Sequence, residues 1–114
     1  MGFKISKAQE TIQYTVEPAI LAEAVQDTLR RIGSVQRVSR ETGIIEGKVS
    51  EGFLMAAPKI QIRITRTGEF TELSVQTHRD EGLATSGGAE KGMVTFLKRL
   101  GEDPRLSEKA SGGW

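Results

Sequence analysis

The chain has no cysteine and a single histidine among its 114 residues. Without cysteine there are no disulfides and no thiolate-bound metals, and one histidine cannot supply the usual zinc set. No metal and no cofactor is expected. Long apolar runs are missing too. The longest, Phe53–Ala57, has five residues, whereas a membrane-spanning helix needs about 20. Nor is there an excess of one charge. Sixteen Lys and Arg against 15 Asp and Glu leave +1, which gives no global pull toward nucleic acid or an anionic membrane. Aromatic residues are only 5% of the chain, so base stacking has little to use. No basic-then-apolar leader opens the sequence, and the expected location is cytoplasmic. The start Met1-Gly2-Phe3-Lys4-Ile5-Ser6 matches the myristoylation pattern, a short pattern that many sequences match by chance.

What the chain does carry is alternation. Hydrophobic residues are 37% and charged residues 27%, a globular balance, and the length suits one domain. Residues 1–9 read as a polar lead-in. Ile12, Tyr14 and Val16 then share one face, which predicts a strand over Thr11–Val16. Pro18 suits the first turn of a helix, where its missing N–H costs nothing. Leu21, Ala24, Val25, Thr28, Leu29 and Ile32 follow at helical spacing, with Arg30 and Arg31 at the negative end of the dipole and Gly33 as the stop. Four more strands are predicted. Val35–Arg40 is the weakest, followed by Ile44–Ser50, Lys59–Thr65 and Thr71–Thr77, joined in part by short glycine-containing connections. Ala89, Met93, Phe96, Leu97 and Leu100 form one apolar face of a second helix from about Ser86 to Leu100, stopped by Gly101 and Pro104. Residues 1–101 then make one domain and 102–114 a flexible tail.

Half-apolar strands and two one-striped helices fit an α+β fold. Its antiparallel sheet has strand order 1-5-4-3-2, with both helices on one face. The runs "GIIEGKVSEGF", "PKIQIRIT", "TELSVQTH" and "GGAEKGMVTFLKRL" carry a resemblance. Over residues 10–101 the chain resembles small β-α-β4-α domains of the TATA-binding-protein-like and helix-grip kind, found in bacterial and archaeal families of unknown function. The resemblance implies the fold and brings no catalytic residues.

Counting strand directions puts the apolar stretch 52–58 at the end of the sheet where the fifth strand exits and the second helix begins. There Phe53, Leu54 and Met55 supply apolar contact, and burial of Phe53 or Leu54 is worth ~1.5–3 kcal/mol each. His78, Arg79 and the N–H groups near Gly87 and Gly88 are candidates to hold a polar or anionic head, with Arg30 and Arg31 close enough to add charge. The bland alternative is that 53–57 merely caps the core and the glycines cap the helix. A hydrolytic or acid–base enzyme centred on His78 and Asp80 is the rival reading. Ser74 is no partner for that histidine, being four residues away on one strand, ~13 Å. The outer sheet face is expected to be mixed in sign and solvated, with cross-strand ion pairs, or covered by a second copy in a homodimer. The favoured expectation is a non-enzymatic module for a small apolar or anionic ligand or a protein partner, with no nucleic acid and no membrane span.

Overall fold

The computed structural model describes residues 4–53, 57–82 and 88–106. Its elements are β1 (Lys4–Tyr14), α1 (Pro18–Ile32), β2 (Gly33–Ser39), β3 (Ile44–Val49), β4 (Lys59–Thr67), β5 (Phe70–Gly82) and α2 (Gly88–Gly101). The strands form one antiparallel sheet in the order β1-β5-β4-β3-β2, as the alternation requires. Leu21, Ala24, Val25, Leu29 and Ile32 of α1 and Met93, Phe96 and Leu100 of α2 are buried against Ile45, Val49, Ile60, Ile62, Leu73 and Val75 of the sheet. The inward strand residues and the two helix stripes are therefore one core. Among the described residues no helix is long and apolar enough to cross a membrane.

Two strands are longer than their apolar pattern. β1 begins at Lys4, inside the stretch that reads as a lead-in, and β5 continues past Thr77 to Gly82. These polar extensions pair with each other, Ala8 with Thr77 and Lys7 with His78. Each supplies the other's backbone hydrogen bonds, so neither needs a hydrophobic pattern of its own. The packed structure also runs past the end of α2. Leu106 joins the core, and Asp103 is 3% exposed.

Buried hydroxyls fix where the helices meet the sheet. Thr71 Oγ1 donates to Val16 O at 2.6 Å, tying β5 to the β1–α1 connection. Thr77 Oγ1 donates to Ala89 O at 2.7 Å, tying β5 to the first turn of α2. Ile32 O accepts from the N–H groups of Ser50 and Glu51, which satisfies the last carbonyl of α1. Gly43, in the β2–β3 turn, has φ +71° and lies so close to β4 that a Cβ would sit 2.4 Å from Ile64 O.

Candidate functional site

The β3–β4 connection does reach the start of α2. Lys91 Nζ donates to Gly52 O at 3.0 Å. The Arg79 guanidinium and the Lys91 ammonium each lie 5.0 Å from the centre of the Phe53 ring, within range for cation–π attraction. Pro58 packs on Gly92, where a Cβ would come within 2.6 Å of the proline ring. Glu51 receives both Nε and a terminal nitrogen of Arg99, at 3.1 and 3.2 Å. Phe53, Arg79 and Gly88 thus belong to one end of the molecule, with Lys91 as a partner that the sequence reading missed. Leu54, Met55, Ser86 and Gly87 lie outside the described residues.

His78 does not join this cluster. It is next to Arg79 on β5, and successive strand residues point to opposite faces. Thr77 and Arg79 face the helices, and His78 faces out. Its register partners are Lys59 on β4 and Lys7 on β1. The rival acid–base centre would need Asp80, a position on β5 whose side chain is not described. Among the described residues no three His, Asp or Glu side chains gather as a metal site. Arg30 and Arg31 are engaged elsewhere. Arg30 reaches Asp27 at 3.3 Å along its own helix, and the charge of Arg31 acts on Asp103.

That aspartate anchors the C-terminal turn. Arg105 bonds Asp103 at 2.7 Å and Asp27 of α1 at 3.0 Å. The hydrogen-bonded Arg105 guanidinium holds the Asp103 carboxyl below its ordinary range despite burial, with Arg31 adding to the effect.

Two concavities lie elsewhere. At the opposite end of the core, a groove of about 530 Å³ separates the first two turns of α1 from the β2–β3 hairpin. Its apolar wall is Pro18, Ala19, Ala22, Val38, Ile45 and Ile64, and Glu23, Gln26 and Arg40 stand at its mouth. Physically it exists because α1 presents alanines there, too short to reach β2 and β3. Val38 stays 43% exposed as a result. The signal was present as Ala19 and Ala22 at i, i+3 beside the main stripe, but small residues do not reveal a void until their neighbours are known. The second concavity is a polar trough on the outer sheet face, lined by His78, Lys59, Glu46 and four glutamines among others.

No family model matches the sequence, and no curated protein matches it either. Solved structures do share its fold. The ginseng major latex-like protein 151 from Panax ginseng superposes with a TM-score of 0.65 at 11% identity, covering 93% of this chain and 98% of that one. Ara h 8.0201 gives 0.64 at 12%, covering 91% and 99%. A START superfamily protein from Mycobacterium smegmatis gives 0.61 at 10%, covering 90% and 97%. Likeness at such identities shows the fold alone. That fold is the helix-grip arrangement, and the TATA-binding-protein-like label finds no support in these structures.

Proposed function

We propose that the chain is a non-enzymatic binding module for a small amphipathic molecule. The observation that carries this reading is the groove between α1 and the β2–β3 hairpin. It has a size usual for small-molecule sites and an apolar wall with a few polar groups at one edge. The Arg40 side chain at that edge makes no hydrogen bond or ion pair among the described residues, and so suits a ligand with an anionic head. The apolar body would lie along Ala19, Ala22, Ile45 and Ile64.

A second reading keeps the site at the other end, and the two cations on the Phe53 ring favour it. There the ring would carry the apolar contact while Arg79 and Lys91 draw an anionic head. Amide chemical-shift mapping against fatty acids and aromatic carboxylates separates the two. Saturable shifts at Ala22, Val38 and Ile45 are expected, and shifts confined to Phe53, Arg79 and Lys91 would move the site. Substituting Ala22→Leu fills the groove without touching the Phe53 end. It should leave the fold intact and abolish binding.

A further inference from the structure

The outer face of the sheet is not the evenly mixed surface that alternation suggests. The register sorts its residues into rows. One row runs Lys48 on β3, Lys59 on β4 and His78 on β5, each directly paired with the next, and the β1 position paired with His78 is Lys7. Like charges placed directly opposite across strands repel. The side chains of Lys48, Lys59 and His78 make no hydrogen bond or ion pair among the described residues. The basic groups of three adjacent strands therefore span roughly 10 Å with no ion-pair partner among the described residues.

The next row, about 6.7 Å along the strands, is Glu46, Gln61, Gln76 and Gln9. Its one carboxylate faces Arg37 at 3.9 Å, so the rest of the row is neutral amide, offering two donors and an acceptor per side chain. Both rows line the trough of about 880 Å³, Lys59 and His78 from the first and Gln61, Gln76, Gln9 and the Arg37-facing Glu46 from the second. Lys48 flanks Lys59 just beyond the lining. Two lysines and an imidazole without ion-pair partners among the described residues, beside a line of amides, are complementary to a molecule with anionic groups at one end and hydroxyls at the other.

We infer that this trough is a second binding site, for a phosphorylated sugar or polyol taken from solution. Phosphate groups would lie on the Lys48–Lys59–His78 row, and hydroxyls would hydrogen-bond to Gln61 and Gln76. The site is independent of the apolar groove, from which it is separated by the sheet itself.

The test titrates the isotope-labelled full chain with fructose 1,6-bisphosphate, pyrophosphate and inorganic phosphate. Saturable amide shifts at Lys59, Gln61, Gln76 and His78 are expected, strongest for the bisphosphorylated sugar. Substituting Lys59→Gln should weaken binding by about tenfold or more, the scale of losing a charge-assisted hydrogen bond. The same variant should melt at a higher temperature without ligand, because it relieves the repulsion in the row. Substituting Gln61→Ala and Gln76→Ala together should weaken the sugar bisphosphate and leave pyrophosphate unchanged. The inference fails if no saturable shift appears at millimolar ligand, if the shifts map to Phe53 and Lys91, or if Lys59→Gln binds as the parent does. Co-sedimentation with phosphatidylcholine vesicles containing phosphatidylinositol bisphosphate, without binding of the free sugar, would also overturn it. Shifts confined to Ala22 and Val38 would leave the groove standing and remove the trough.

Discussion

A hydroxyl on α1 and a carboxylate just past α2 show how single atoms are tuned here. Thr28 is 1% exposed and its Oγ1 has no hydrogen-bond partner among the described residues. Burying an unpaired hydroxyl costs on the order of 1–3 kcal/mol. Replacing Thr28 by Val keeps the shape and removes the polar atom, so it should raise stability by about 1 kcal/mol, read from urea midpoints at constant m-value. Asp103 is the reverse case. Its folded-state carboxyl is held below the ordinary range by the hydrogen bond from Arg105. A depressed carboxyl contributes stability that is fully present above its unfolded value, near pH 4. That contribution disappears as pH falls through the lower folded value. Asp103→Asn should therefore cost about 1.5–3 kcal/mol at neutral pH and flatten the acid limb of the stability curve. A variant whose acid limb matched the parent's would show that Asp103 is not the titrating group. The same residue explains why the packed structure extends past Gly101. Arg105, held by Asp103, bridges to Asp27, 78 positions away, and no local pattern announces such a contact.

Among the elements, alternation and helical stripes were enough to read the strand order and both core faces. They failed where strands are stabilised by pairing alone. Lys4–Ala8 and His78–Gly82 have no apolar period, yet they complete β1 and β5 by bonding to each other. That unread extension is why His78 and Arg79, neighbours in sequence, looked like one cluster and in fact face opposite sides. The contact of the β3–β4 connection with α2 was legible, since direction counting needs only the number of strands. Its tightest point is Gly92 against Pro58. Gly92→Ala should gain about 1 kcal/mol in helix propensity, but the new methyl overlaps a ring that cannot rotate away. Overpacking of this kind costs about 1–3 kcal/mol, so a net loss of up to about 2 kcal/mol is expected in chemical denaturation. A stabilised variant would mean that α2 slides along the sheet at little cost. Thr77→Val probes the same joint from β5. Loss of the bond to Ala89 O should cost about 1 kcal/mol.

For the molecule as a whole, the two ends of the core are built differently, and that contrast is the strongest support for the groove. The end near α2's first turn is stapled by Thr77 to Ala89, Lys91 to Gly52 and Pro58 against Gly92. At the other end α1 begins without a side-chain cap at Glu17, which instead pairs with the exposed Arg66. Val38 and Phe70 are 43% and 41% exposed there, and Ile64 is only half-buried. The buried Thr71–Val16 bond ties β5 to the β1–α1 connection here but does not reach the β2–β3 hairpin, and solvent-facing apolar surface between hairpin and helix marks a region that opens at low free energy. Amide hydrogen exchange should be slowest in β3, β4 and β5 and markedly faster in the first turn of α1 and the β2–β3 hairpin. An occupant of the groove would bridge those two elements. At a hundred times its Kd it adds about 2.7 kcal/mol to stability, a rise in Tm on the order of 10 °C for a domain of this size. The exchange data locate where that energy is delivered. Protection should increase first at Ala19–Glu23 and Val38–Ile45. In the Ala22→Leu variant, those segments should already be slow before any ligand is added, because the leucine bridges the same gap. If the variant exchanged as fast as the parent there, the groove would be too open for a side chain to span. A small amphipathic ligand would then have no wall to rest on.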